Sequence, residues 1–371
     1  MFPAYNHQPR RVGFQVQERI NALGMGQKMQ DLPEHLWHDS FRFYVKEDPN
    51  RRGGPNLRMI RLDPTKPSLT VTAYVFNKFV HPYEDRFITP REAARLQGFP
   101  DDLEFQGTLT SSQQQVGNAV PVQLGEAVFK QILNFAKTIT SETVFPALSI
   151  FSGAGGLDLG ALYASNEERR VQTVLSLDND KDCCRTLQNY PSFKSKVIQE
   201  DISKITEAAT LVRDTSISKN DFWILYGGPP CQSFSQAGKQ KGDKDPRGQL
   251  IDEFLRFVKE LKPSVFVMEN VRGLAGIDKG NLLKQILTQM SVLGYNVDCS
   301  LLNAADFGAP QLRKRLIFIG TRSDLGKICL PHPTHAAQIT LFSPSRYKTV
   351  KDAFAGLPSY ATQQALLLPS V

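Results

Sequence analysis

Cys231 is the residue whose neighbours best suit it to act as a nucleophile. It follows the apolar run FWILYG (222–227) within GGPPCQSFS (227–235), where two glycines and two prolines enforce a rigid turn and bar a helix. A thiol presented on such a loop suits covalent catalysis, whereas most lone cysteines are inert core residues. Cys183, Cys184, Cys299 and Cys329 read as the inert kind. Glu269 ends the next apolar run, in MENVRGL, followed by Asn270. Leaving a strand beside the cysteine loop, it could act as an acid or base with a raised pKa; in isolation it would read as a cap or a salt bridge. Arg313 and Arg315 in QLRKR alternate onto one strand face, where they could fork onto a carboxylate or a base oxygen, or stay solvated. Earlier, FSGAGGLDLG (151–160) forms a glycine-rich turn opening a helix, which brings backbone N–H groups close to a polar ligand. It departs from G-x-G-x-x-G because Asp158 takes the third glycine position. Asp178 ends the following run, where an acid commonly holds ribose hydroxyls, and Asp201 lies beyond the next. Together these favour a nucleoside-containing cofactor.

The elements that must position these groups are short apolar runs separated by amphipathic stretches. ALSIF (147–151), VLSLD (174–178), FWILYG (222–227), VFVMEN (265–270) and RLIFIG (315–320) read as buried strands, with helices such as QLIDEFLRFVKEL (249–261) and GNLLKQILTQM (280–290) between them. That alternation predicts an α/β fold with a mainly parallel sheet covered on both faces. Ligands of such sheets bind beyond the C-terminal strand ends. In the first part, only LTVTAYVF (69–76) reads as a strand. A helix starts at the Thr89 cap of TPREAARLQGF, and another covers 121–137.

A chain of 371 residues suggests two or three domains. No apolar run approaches the roughly 18 residues that span a bilayer, and no secretory signal opens the chain. Five cysteines without a CxxC pair suggest neither a disulfide framework nor zinc, so no metal is expected and a reduced, cytoplasmic setting is the default. The net charge of +7 is unevenly spread: the basic excess lies in residues 1–100 and 321–371, around a nearly neutral middle. Such ends are either a solvated basic surface or a split module that meets a polyanion.

FSGAGGLDLG, GGPPCQSFS, MENVRGL and QLRKR, in this order, resemble the signature blocks of DNA (cytosine-5)-methyltransferases. RFITPREAARLQGFPDDLEFQG (86–107) and QVGNAVPVQLGEAV (115–128) are similar to that family's closing blocks, which here come first. The resemblance therefore implies a circularly permuted member of prokaryotic restriction–modification type, probing double-stranded DNA as a monomer. It implies a Rossmann-like, S-adenosylmethionine-dependent methyltransferase fold, with a smaller target-recognition domain built from both chain ends. On this reading 1–80 and 326–371 are the two recognition halves, 81–137 the permuted closing blocks, and 138–325 the catalytic and cofactor-binding domain. The permutation places the new ends in the family's variable region and leaves the core intact.

Carried over by position, the resemblance makes Cys231 the nucleophile that adds to C6 of a flipped-out cytosine, which renders C5 reactive toward the methyl group of S-adenosylmethionine. Glu269 would hold or protonate N3, and Arg313 and Arg315 would hold the base oxygen and position both groups. Phe151, Gly153, Gly155 and Leu157 would line the cofactor pocket. Asp178 would hold the ribose, Asp201 and Ile202 the adenine, and Asn118 and Val120 the methionine end, with Pro230 near the sulfonium. Gln232, Ser235 and Arg247 would face DNA, Gln232 filling the space the base leaves. Asp178 stands where the family usually has Glu, QVGN lacks its usual preceding basic residue, and Val122 replaces a proline. The recognition halves are short enough that a partner subunit is a further option. The competing readings are a tRNA cytosine-5 methyltransferase of the same fold, a nucleotide-dependent oxidoreductase, and a DNA-binding regulator without activity.

Overall fold

The computed structural model describes residues 4–39, 41–42, 59–73, 78–217, 221–230, 249–339 and 345–359. The chain divides into two compact units: one of residues 1–118, 309–312 and 347–371, the other of 119–308 and 313–346.

The first unit contains helices α1 (Phe14–Ala22), α2 (Pro90–Gln97) and α3 (Leu109–Asn118). α2 starts where the sequence expects: Thr89 and Glu92 form a reciprocal capping box, Pro90 takes the first helical position, and Gly98 ends the helix at φ 86°. Glu92 is buried, and Arg86 donates to both its oxygens at 2.9 and 2.7 Å. Burial opposes that carboxylate, but Arg86, together with His81 and His7, outweighs it and holds the pKa below the usual range. Buried Arg61 donates to the carbonyls of Leu23, His81, Glu84 and Ile20. One side chain thereby ties the C-terminal end of α1 to the 81–84 turn. The expected strand 69–76 shrinks to Ser68–Leu69, paired with Gln311–Leu312. The ladder stops there because the Gln311 side chain, instead of backbone, accepts from Val71 N at 3.2 Å; residues 74–76 lie outside the described residues.

The second unit is built on a seven-stranded sheet: β1 (Val144–Ile150), β2 (Arg170–Asp178), β3 (Lys196–Gln199), β4 (Ile224–Gly227), β5 (Val265–Val271), β6 (Tyr295–Asn303) and β7 (Lys314–Arg322). Their order is β3-β2-β1-β4-β5-β7-β6, parallel except for β7, which runs antiparallel to both β5 and β6. The mainly parallel α/β fold is as expected. β4 is apolar throughout, and β5 is apolar up to Glu269, because both faces are covered. β6 escapes the sequence reading: as an edge strand it carries Asn296, Asp298 and Ser300 and shows no continuous apolar run. Pro146 fits inside β1 because pairing with β4 begins only at Ala147.

Helix α4 (Val122–Ile139) precedes β1, and α5 (Gly156–Ala164) follows it. α6 (Lys181–Asn189) joins β2 to β3, α7 (Gln249–Leu261) precedes β5 and α8 (Asn281–Val292) precedes β6. α7 buries Ile251, Phe254, Leu255, Phe257, Val258 and Leu261, the apolar face its spacing predicts. α4 and α5 approach so closely that a Cβ at Gly160 would lie 2.7 Å from Gly125 Cα. Among the described residues, no helix is long and apolar enough to cross a membrane. Cys183 and Cys184 are buried as expected, Cys299 is half-buried, and Cys329 is exposed, against the inert-core reading. Cys329 follows the end of β7, where the chain has left the sheet.

Adding a branched side chain between α4 and α5 leaves backbone as the only thing that can yield. Gly160→Val is expected to lower stability by about 1–3 kcal/mol, seen as a lower urea midpoint with an unchanged slope; an unaltered midpoint would mean the helices have room.

Candidate active site

β1 and β4 are neighbours, and from them the sheet grows in opposite directions, so the crevice between their C-terminal ends is the switch point where open α/β sheets bind ligands. The glycine turn follows β1, and GGPP follows β4. Gly227 pairs with Ile150, and a Cβ there would come within 2.0 Å of the Ile150 carbonyl oxygen, so only glycine permits this approach.

On the β1 side, Phe151 and Gly153 take the left-handed conformation at φ 54° and 55°, and Gly155 caps α5 at φ 83°. A Cβ at Gly153 would meet nothing within 4 Å, so the turn leaves open space against its backbone. Gly156 is required for the opposite reason: a Cβ there would lie 2.4 Å from the Val120 carbonyl oxygen, which places Val120 directly against the turn. Leu157 is buried in α5. The Asp178 carboxylate accepts from Gly153 N at 2.7 Å and from Asp180 N at 2.9 Å. Burial raises its pKa, and those N–H donors oppose the shift. Asp201 accepts from Ser203 N at 2.9 Å and Ser203 Oγ at 2.7 Å, with Ile202 buried beside it. These bonds from Ser203 hold its pKa below the usual range. Open space over a glycine backbone, with a carboxylate at each of the next two strand ends, fits a ligand with a ribose and a base. Asn118 is the exposed last residue of α3, in the first unit.

On the β4 side, Cys231, Gln232, Ser235 and Arg247 lie outside the described residues, and Pro230 is the last before them, exposed. The loop that leads to them is anchored by Asn270, whose Nδ2 donates to the Pro229 carbonyl at 3.0 Å. Glu269 is buried at the end of β5, and its Oε1 takes the Arg315 Nε at 2.8 Å. Pairing of Ile317 with Glu269 and Arg315 with Val271 puts the two side chains on one face, diagonally across the strands. This works because β7 is antiparallel: its first residues lie beside the last residues of β5. A Cβ at Gly228 would press to 3.0 Å from Glu269 Oε2, so the chain passes close over the carboxylate. Arg313, fully buried just before β7, donates from Nη2 to the Ala119 carbonyl at 2.9 Å. Burial raises the Glu269 pKa, and Arg315 and Arg313 oppose it without cancelling it. Burial works against both guanidinium charges as well.

The structure thus brings Glu269 and Arg315 together, with Arg313 two residues away on the same strand approach. From the sequence Asn270 carries no role of its own; its place after the acid and before the strand's end is the available signal. Gly228 was read only as a turn former. Among the described residues, no group of three or more His, Cys, Asp or Glu is placed to hold a metal.

This is the layout of an α/β protein with a glycine turn at its switch point and a desolvated carboxyl beside it. The model of the C-5 cytosine-specific DNA methylase family matches residues 10–134 and 145–364. The chain belongs to that family. It is 42% identical over 238 residues to the type II methyltransferase M.AquIA of Picosynechococcus, covering 60% of this chain and 92% of that protein. It is 40% identical to M1.HphI of Haemophilus parahaemolyticus and 36% to M.NgoFVII of Neisseria gonorrhoeae, over 60% and 64% of this chain. Those matches span 55% and 59% of the relatives, so the aligned part is little more than half of each longer protein.

Removing Arg315 strands a buried carboxylate. Because burial raises the folded-state pKa of Glu269, its charge costs stability as pH rises through that elevated value and costs nothing below the ordinary carboxylate range. Arg315→Ala is therefore expected to lose about 3–5 kcal/mol at pH 8 and distinctly less near pH 5. Urea unfolding at the two pH values checks this, and equal losses would show that Glu269 does not depend on Arg315.

Proposed function

We propose that this chain methylates C5 of cytosine within a specific duplex DNA sequence, as the modification enzyme of a restriction–modification system. The observation that carries the reading is the buried Glu269–Arg315 pair at the end of β5, beside the strand whose continuation bears Cys231. C5 is a poor nucleophile and lies within the base stack, so the target base must be turned out of the duplex. Cys231 then forms a bond to C6 while Glu269 supplies a proton to N3, and the displaced ring electrons make C5 nucleophilic. The carboxyl suits this because burial favours its protonated form and Arg315 stabilises the anion left behind. Loss of the C5 proton to a base, here taken to be water, later expels the Cys231 thiolate, Glu269 takes back the N3 proton, and aromaticity is restored. Arg313 and Arg315 hold the base oxygen.

S-adenosylmethionine, when bound, supplies an electrophilic methyl group. Phe151, Gly153, Gly155 and Leu157 would hold it along the turn, Asp178 at the ribose, Asp201 and Ile202 at the adenine, and Asn118, Val120 and Pro230 at the methionine end. Gln232, Ser235 and Arg247 would contact DNA. The target-recognition region is drawn from residues 1–80 and 326–371 of a circularly permuted chain. In support, the first unit gathers residues from both ends, the blocks that close the family's usual order precede the glycine turn, and the family model matches in two segments. Residues 326–346 cluster with the second unit, so the first unit takes only the later part of the C-terminal half.

Duplex DNA containing 5-fluorocytosine cannot release its C5 substituent and is expected to form a stable covalent complex with the wild-type protein and cofactor. Cys231→Ala should abolish the adduct; an adduct that survives misassigns the nucleophile. Labelled methyl groups should reach duplex DNA, and label in tRNA alone would replace the DNA reading. Bisulfite sequencing of DNA from expressing cells would then give the recognised site.

A further inference from the structure

Beneath the glycine turn, hydroxyl groups surround one carboxylate that the chemistry above does not use. Asp158, in the first turn of α5, is buried. Its Oδ1 accepts from Tyr226 OH at 3.1 Å and from Ser176 Oγ at 3.2 Å, and its Oδ2 accepts from Ser149 Oγ at 3.2 Å. These donors come from the C-terminal parts of β4, β2 and β1. The network extends outward: Tyr226 OH meets Thr173 Oγ1 at 2.7 Å, Ser176 Oγ meets Ser195 Oγ at 2.8 Å, and Ser149 Oγ meets Ser152 Oγ at 2.8 Å. Ser152 belongs to the turn itself, and its backbone N–H donates to the Leu177 carbonyl at 3.1 Å. The next residue, Gly153, is the one bonded to Asp178.

Burying a carboxyl is costly, and an apolar side chain would fill this position more cheaply. In the dinucleotide fingerprint the same position is a glycine that lets helix and strand pack closely. Here Asp158 reaches three strand ends at once, which neither a glycine nor an apolar residue could do. Burial lifts its pKa to about 6, with the three hydroxyls opposing.

We propose that Asp158 is a positioning residue for the cofactor: through Ser149, Ser176 and Tyr226 it ties the ends of β1, β2 and β4 to α5, and holds the Ser152–Gly153 turn in its ligand-ready form before the ligand arrives. The proposal rests on the reading that this turn holds S-adenosylmethionine.

The test uses the full chain and two readouts. In the ligand-free protein, hydrogen exchange at the amides of residues 152–156 should speed up in Asp158→Ala. In the second readout, calorimetric affinity for S-adenosylhomocysteine should weaken about tenfold, a modest loss beside the roughly hundredfold that about 1 Å of misplacement can cost a positioned group. The loss in turnover should fall on KM for the methyl donor more than on kcat. Asp158→Asn, which keeps an acceptor for Tyr226 and Ser176, should recover most of the affinity. A folded Asp158→Ala protein with unchanged exchange and affinity overturns the proposal, as does a loss confined to kcat. If Asp158→Ala does not fold, Tyr226→Phe is read the same way, with faster exchange expected and unchanged exchange overturning it. If wild-type protein binds no S-adenosylhomocysteine, the assignment of the turn to that cofactor fails, while exchange still decides whether Asp158 holds the turn.

Discussion

Two charges that have given up water hold one another at the end of the sheet, and the layout around them follows from keeping them together. Neither Glu269 nor Arg315 could be buried alone, because a desolvated ion without a counter-ion is strongly unfavourable. Their meeting requires the start of one strand to lie beside the end of another, which a purely parallel sheet does not provide. The reversed β7 supplies it, with a register that places both side chains on one face. The neighbouring residues adapt: Gly228 passes so close over the carboxylate that a Cβ there would press on Glu269 Oε2, and Asn270 anchors the Pro229 carbonyl.

The other side of the crevice depends on different physics. There the backbone itself faces open space, and glycine serves both where that space is left, at Gly153, and where chains touch, at Gly156 and Gly160. Within the turn, Ala154 is buried and Phe151 packs against the core. Hydrogen bonds fix it from outside, Asp178 from the adjoining strand and Asp158 from beneath.

Much of this was legible in the sequence because chemistry-bearing residues punctuate apolar runs. Glu269 ends one run, Asp178 another, and Arg315 begins a third, so strand ends could be located from polarity alone. The direction of β7 was not legible, since an apolar run reads the same whichever way it lies in the sheet. β6 was missed because an edge strand needs apolar residues on one side only, and its polar residues broke the pattern. Asp158 appeared as a flaw in a glycine motif; its meaning depends on hydroxyls from three strands far apart in the chain, and no local pattern records that. In the first unit, LTVTAYVF alternates as a strand should, yet alternation cannot reveal that the Gln311 side chain replaces a backbone partner.

The backbone passes between the two units four times, after residues 118, 308, 312 and 346. Neither unit is therefore a contiguous stretch of sequence. A cassette swap that cuts at a single point cannot transplant one unit onto a new host, and a single nick leaves both still tethered by the remaining passages. Moving one unit to a new host as a block would need cuts at more than one of these passages, with the chain rejoined at each.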